Sequence, residues 1–97
     1  METRWMYRTS GDLKELLEES KGVCVMPIGC VEKHGLHLPL GQDTIQGEEI
    51  AYAASQIEPV CVFPPFIFGD LCGAAPGCPH GTVTLPEETL LLLLEQL

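Results

Sequence analysis

Three side chains that can bind a metal ion lie close together near the middle of the chain. Glu32 and His34 are two positions apart, so in an extended segment both leave the same face. Asp43 follows eleven positions after Glu32, and the residues between them include turn formers that let the loop fold back, namely Gly35, Pro39 and Gly41. Two carboxylates and an imidazole suit Zn²⁺ or Mn²⁺. Spacing alone leaves open the common alternative of ordinary polar loop residues.

The elements that must position these residues follow an alternating order. Thr9 begins a capping box and an apolar leucine stripe follows it, which predicts a helix over 10–20. Residues 23–28 form a continuous apolar run typical of a strand buried on both faces. The polar loop 29–41 comes directly after this run, and ligand sites in open α/β sheets lie at the carboxyl ends of strands.

The second half of the chain continues this order. A second helix, capped by Asp43 or Thr44, is predicted to run through about Gln56, with its inner side formed by Ile50, Ala53, Ala54 and Ile57. A second buried strand is predicted over 60–63, followed by a long Gly-, Pro- and Cys-rich loop over 66–80 and an extended piece over 82–85. A last helix is predicted after a second capping box, formed by Thr84 and Glu87 with Pro86 at the first helical position.

The last predicted helix is apolar all round. Leu90–Leu94 places leucines on every face, so this helix must be covered on all sides. The order of elements predicts an α/β fold with a parallel-type sheet layered with helices, incomplete in this chain. We therefore expect residues 1–97 to be the N-terminal part of a single larger domain; a small complete domain is the alternative.

Composition narrows the classes of partner. The 97 residues carry a net charge of −9, with fourteen acidic and five basic side chains, so nucleic acid is not an expected partner. No apolar run is long enough to span a membrane, and no secretory leader is recognised. We therefore expect a cytoplasmic protein in which five cysteines are reduced thiols: Cys24, Cys30, Cys61, Cys72 and Cys78.

The segment 27–44 resembles the signature of the creatininase (creatinine amidohydrolase) family. In this chain it reads Pro-Ile-Gly-Cys-Val-Glu-Lys-His-Gly-Leu-His-Leu-Pro-Leu-Gly-Gln-Asp-Thr. The resemblance continues through the apolar segment 60–65 with its two prolines, through 80–85 and into Glu88 and Thr89. It covers nearly the whole chain from about Ser10.

The resemblance implies a two-metal hydrolase that cleaves the C–N bond of a cyclic or linear amide. By position, Glu32 and His34 are expected metal ligands and Asp43 is the expected bridge between two divalent ions, which are Zn²⁺, Mn²⁺ or both, with iron also possible. The expected nucleophile is a metal-bound water, so no side chain is assigned as catalytic. His37 is expected to support the ligands or contact substrate, with an ordinary loop histidine as the alternative.

Three positions depart from the family pattern. Cys30 replaces a small residue such as Ser, and buried packing is its expected role. Lys33 replaces Gln and can contact an anionic substrate, although an exposed lysine is the simpler interpretation. His80 replaces Pro; with Cys72 and Cys78 it offers an alternative structural zinc site, although a Cys-x-x-Cys pair is lacking.

Ligand counting exposes a shortfall, because each metal ion needs about four to six donors. The family's further ligands come from a later His- and Gly-rich motif, which does not occur between Asp43 and Leu97. We therefore expect this chain alone to bind metal weakly and not to turn over substrate. The alternatives are a non-catalytic remnant, a subunit that completes its site with another chain, and a metal-storage module.

The resemblance also sets expectations about substrate and assembly. Relatives act on creatinine, on formamides in flavin or deazaflavin precursor synthesis, and on peptides in redox-cofactor maturation, so a small-molecule amide is the expected substrate. Relatives form ring-like homo-oligomers, and a homo-oligomer is expected for the full-length form.

Overall fold

The computed structural model describes residues 1–72 and 77–97. After a short 3₁₀ helix at Trp5–Tyr7, the elements follow the predicted alternating order. They are α1 (Ser10–Glu19), β1 (Cys24–Val25), α2 (Gln42–Ser55), β2 (Cys61–Val62) and α3 (Glu87–Gln96). The α/β class is therefore confirmed. Within the described ranges, no helix has the length and apolar character needed to cross a membrane.

The two strands pair in parallel, with Cys24 opposite Cys61. Backbone hydrogen bonds extend this pairing beyond the short strands: the Phe66 N–H donates to the Pro27 carbonyl over 2.9 Å, and the Gly29 N–H donates to the Phe66 carbonyl over 2.8 Å. The pairing therefore carries the chain in register up to the start of the loop that holds the candidate ligands.

The two strands differ in burial, although both were predicted to be buried on both faces. In β2, Cys61 and Val62 are 0% and 1% exposed. In β1, Cys24 is exposed and Val25 is 41% exposed, so the prediction is wrong for this strand. The reason is position, because β2 is packed by α2 and paired on both edges, with the Val62 N–H donating to the Thr3 carbonyl.

Helix α1 forms as the sequence predicts. The Thr9 hydroxyl accepts a hydrogen bond from the Asp12 N–H at 3.3 Å, which satisfies one of the free donors of the first turn. Leu16 is fully buried beneath the helix. Lys21 and Gly22 both have positive φ, and the Gly22 N–H bonds the Leu17 carbonyl, which ends the helix.

Helix α2 begins at Gln42, with Gly41 as its N-cap. The predicted inner side is wrong, because Ile50 is 62% exposed and Ile57 is 87% exposed. The buried residue is Ser55, whose hydroxyl lies 2.5 Å from that of Thr3. The buried side of α2 therefore carries Ser55 and its hydrogen bond to the N-terminal segment, and not the predicted isoleucines.

Helix α3 begins one residue later than predicted and without the predicted cap. Pro86 occupies the N-cap position and makes no side-chain capping bond. The Thr84 hydroxyl instead accepts a hydrogen bond from the Leu71 N–H at 3.0 Å. Among the residues that the structure describes, none buries this helix, and its consecutive leucines are 40–59% exposed at Leu91, Leu92, Leu93 and Leu94.

Candidate metal centre

The loop after β1 is held against the start of α2 by a close backbone approach at Gly29. A Cβ atom at this position would lie 2.7 Å from the backbone nitrogen of Thr44, so a larger residue cannot fit without a shift. The Thr44 hydroxyl donates to the Cys30 carbonyl at 2.9 Å. These contacts fix the segment before the candidate ligands to the first turn of the helix that carries Asp43.

The loop folds back on itself, as its turn residues predict. The Glu32 N–H donates to the Leu40 carbonyl at 3.0 Å, and His34 and Leu38 form an antiparallel bridge. Gly35 stands at the turn between them with a φ of 65°, a conformation that glycine adopts easily. Glu32, His34 and Asp43 are therefore brought to one side of the loop.

The side chains of this loop and of α2 form a cluster of metal-binding atoms. The Cys30 Sγ lies 3.0 Å from Oδ2 of Asp43. Potential ligand atoms of Cys30, Glu32 and Asp43 all lie within 4.8 Å of one another. The His34 Nε2 lies 3.3 Å from the same Oδ2. The structure thus brings together the three ligands expected from the sequence and adds a thiol.

The His34 Nε2 atom is the clearest sign of a missing partner. The atom is buried and has no hydrogen-bond partner, and the nearest charged group is Oδ2 of Asp43 at 3.3 Å. A buried ring nitrogen without a partner is costly unless another group satisfies it. A divalent cation coordinated by this nitrogen satisfies it without a proton, so the residues present fit a metal ion.

The electrostatics of the cluster also favour a cation. The hydrogen bond to Asp43, partial burial, and the negative charges of Glu32 and Asp43 raise the pKa of the Cys30 thiol to about 12. This shift shows how strongly the cluster disfavours another negative charge. Asp43 itself stands in the first turn of α2, where the helix dipole favours a carboxylate.

The segment 82–85 supports the loop from the other side. The Val83 N–H donates to the Val31 carbonyl at 2.9 Å, and the Lys33 N–H donates to the Thr82 hydroxyl at 3.0 Å. The predicted extended piece is an irregular segment that makes these isolated hydrogen bonds. It fixes the backbone on both sides of Glu32.

A cavity of about 410 Å³ opens beside this loop. Lys33 and His80 contribute its polar side chains, and Leu36, Leu38 and Leu40 line its apolar part. His37, the other residue expected to support the site or contact substrate, does not line it: this histidine is exposed and its ring lies against Gly35. The structure thus places Lys33, but not His37, at this cavity, whose lining does not include Glu32, His34 or Asp43.

Two cysteines depart from the expectation of reduced thiols. Cys72 and Cys78 form a disulfide, and the free cysteines of the described residues are Cys24, Cys30 and Cys61. The alternative zinc site of Cys72, Cys78 and His80 is therefore wrong, because sulfurs bonded to each other are not thiolate ligands. Residues 73–76, in the middle of the predicted 66–80 loop, lie outside the described residues.

Cys30 is the site residue that sequence reasoning missed. Its expected role was packing, but its Sγ faces the carboxylate of Asp43 and the residue is only partly buried. A signal was present, since Cys30 stands two positions before Glu32. In an extended segment, residues two apart leave the same face.

Parallel strand pairing with flanking helices, and a polar cluster in the loop after one strand, define an α/β protein with a candidate site beyond its sheet. The family model described as creatininase, creatinine amidohydrolase, matches residues 6–97. The chain belongs to the creatininase family.

A solved structure confirms the fold. The structure of a tryptophan-to-alanine mutant of creatininase matches with a TM-score of 0.80 at 17% sequence identity. The match covers 99% of this chain and 38% of that one, so the chain spans well under half of its structural relative. No curated protein sequence matches the chain.

Proposed function

We propose that this chain is the N-terminal part of a metal-dependent amidohydrolase that uses two divalent ions to hydrolyse a C–N amide bond. The observation that carries the proposal is the buried His34 Nε2, which has no hydrogen-bond partner and lies 3.3 Å from Asp43. Family membership supports the amidohydrolase class. The cluster of Glu32 and Asp43 supports the metal requirement.

Each side chain has a distinct part in this proposal. Glu32 and His34 would each supply one donor, and Asp43, whose carboxylate has two oxygens, would be the residue able to contact both ions. A bound divalent cation supplies Lewis acidity, which makes water nucleophilic near neutral pH and polarises an amide carbonyl. Zn²⁺ and Mn²⁺ are the proposed ions, because carboxylate and imidazole ligands suit both.

The cavity supports a small amide as substrate. Its leucine lining suits the apolar part of a small molecule, while Lys33 offers a positive charge to an anionic group. We assign Lys33 to substrate contact on this ground. His37 does not line the cavity, and its ring lies against Gly35. We therefore propose only that His37 supports the loop that carries Glu32 and His34.

A second candidate is a subunit or remnant whose site is not complete within one chain. It is favoured by the donor count, because the described residues bring together four candidate ligand side chains, Cys30, Glu32, His34 and Asp43, whereas two ions need more. The exposed leucines of α3 also favour assembly.

We propose a cytoplasmic homo-oligomer for the complete enzyme.

Metal titration of the purified chain tests the site. We expect calorimetry to detect weak Zn²⁺ binding that Glu32→Gln reduces by about tenfold or more, because the substitution removes a charged ligand. Glu15→Gln is the matched control, since Glu15 is an exposed acid on α1 away from the cluster. Equal losses in the two variants would show that Zn²⁺ binds only to the acidic surface.

Assembly tests whether the site is completed by another copy of the chain. Mass determination by light scattering, combined with an amide-hydrolysis assay, is the measurement. An active oligomer supports a subunit that completes its site with another chain, whereas a monomer without activity refutes that subunit and fits both an N-terminal part and a remnant.

A further inference from the structure

Cys30 lies inside the candidate metal centre, in the group that it forms with Glu32 and Asp43. Its Sγ is 3.0 Å from Oδ2 of Asp43. The same oxygen lies 3.3 Å from the buried, unpartnered Nε2 of His34. One carboxylate oxygen of Asp43 is therefore near both a thiol and an imidazole, and these are two of the side chains that bind zinc most often.

Backbone contacts hold Cys30 beside the first turn of α2, which carries Asp43. The Cys30 carbonyl accepts from the Thr44 hydroxyl at 2.9 Å, and the preceding Gly29 packs directly on the Thr44 backbone. The sulfur and the Asp43 carboxylate are thus tied to the same turn of α2. A side chain held on a rigid element in this way gives a metal ligand of defined geometry.

The distances lie on both sides of the spacing that one ion requires between its ligand atoms. With bonds of about 2.3 Å to sulfur and about 2.1 Å to oxygen at a tetrahedral angle, zinc holds the two ligand atoms about 3.6 Å apart. The separations in the cluster run from 3.0 Å, between Cys30 and Asp43, to an upper limit of 4.8 Å that includes Glu32. Small side-chain rotations therefore reach the required spacing.

We propose that Cys30 is a thiolate ligand of the metal centre, acting together with Glu32, His34 and Asp43. This inference rests on the proposed metal site and adds a soft ligand to it. Binding replaces the S–H bond by a metal–sulfur bond and releases the proton to solvent. A sulfur ligand shifts the preference of the site toward Zn²⁺, Co²⁺ or Fe²⁺ and away from Mn²⁺, which favours oxygen ligands.

Cobalt spectroscopy of the purified chain tests the inference, because Co²⁺ bound to a thiolate gives a sulfur-to-metal charge-transfer band in the near ultraviolet. The wild-type chain is expected to develop this band when excess Co²⁺ is added. Cys30→Ser is expected to lose the band and to bind Zn²⁺ about tenfold or more weakly. Cys24→Ser is the matched control and is expected to keep both, since Cys24 is a free, exposed cysteine on β1.

The possible outcomes separate this inference from the proposed function. If Co²⁺ binding depends on Glu32 but Cys30→Ser leaves the spectrum unchanged, the thiolate ligand is refuted and the carboxylate–imidazole site stands. If Glu32→Gln also leaves Co²⁺ binding unchanged, the metal site itself is refuted. Circular dichroism of Cys30→Ser checks folding, and Cys30→Ala, which removes the sulfur without adding a polar group, must lose the band in the same way.

Discussion

The site segment 29–44 and helix α3 show opposite degrees of internal support. In the segment, backbone contacts at Gly29 and Glu32 and the hydroxyl of Thr44 hold the candidate ligands in place. In α3, the consecutive leucines are 40–59% exposed, and none of the described residues buries them. The difference teaches that the described residues specify the geometry of the cluster but do not bury the leucines of α3.

The largest expected effect is at Asp43. Asp43→Ala in the intact protein is expected to abolish amide hydrolysis and stoichiometric metal binding, because Asp43 is the proposed bridge and contacts both Cys30 and His34. Metal analysis and an activity assay measure the two effects. Asp12→Ala, at the corresponding first turn of α1, is the control and is expected to keep both. Full activity in Asp43→Ala would refute the assignment of the site.

The cost of truncating a buried leucine is the reference with which substitutions of the exposed leucines in α3 are compared. Leu16 is 0% exposed, so Leu16→Ala is expected to lower the free energy of unfolding by about 2–5 kcal/mol through lost burial and a residual cavity. Denaturant titration of the chain measures this change. Leu36→Ala is the control, since Leu36 is 96% exposed and its loss is expected to cost less than about 0.5 kcal/mol. Similar costs for the two would show that Leu16 is not in the core.

The support of the site is tested at Gly29. Gly29→Ala is expected to destabilise the chain by about 1–3 kcal/mol and to weaken Zn²⁺ binding, because the new methyl group meets the Thr44 backbone. Thermal unfolding and calorimetric titration are the measurements. In Gly11→Ala, the new methyl lies 3.8 Å from the Thr9 hydroxyl within α1, and this control is expected to stabilise the helix by about 0.5–1 kcal/mol. Unchanged Zn²⁺ affinity in Gly29→Ala would show that the contact between Gly29 and Thr44 does not position the candidate ligands.

The smallest expected effect is in α3. Leu92 is 52% exposed, so Leu92→Gln is expected to change the unfolding free energy of the dilute chain by less than about 0.5 kcal/mol. The same substitution is expected to reduce association at high concentration, measured by light scattering. A cost near that of Leu16→Ala in the dilute monomer would contradict the exposed position of α3.

The parts of the fold that the sequence predicts are those set by near neighbours. Thr9 caps α1 through a bond to Asp12 three residues away. The loop ligands are also local, since Gly35 reverses the chain between His34 and Leu38. Such features depend on backbone propensity and short-range hydrogen bonds, which residue types report directly.

The features that sequence reasoning misses depend on distant partners. Thr84 fits a capping box, but its hydroxyl accepts a hydrogen bond from the Leu71 N–H and does not cap the helix. The periodicity of α2 favours Ile50 on the inner side, yet the buried residue of this helix is Ser55, which is hydrogen-bonded to the distant Thr3. Hydrophobic periodicity and local motifs do not report which residues distant in sequence will contact each other in the fold.

Nitrogen NMR of the imidazole rings in the ¹⁵N-labelled chain tests the central claim most directly, because it observes the proposed metal-binding atom itself. Addition of Zn²⁺ is predicted to shift the Nε2 resonance of His34, while His37 and His80 change little, since neither belongs to the cluster. An unchanged His34 resonance under conditions in which Zn²⁺ binds the chain would contradict the account.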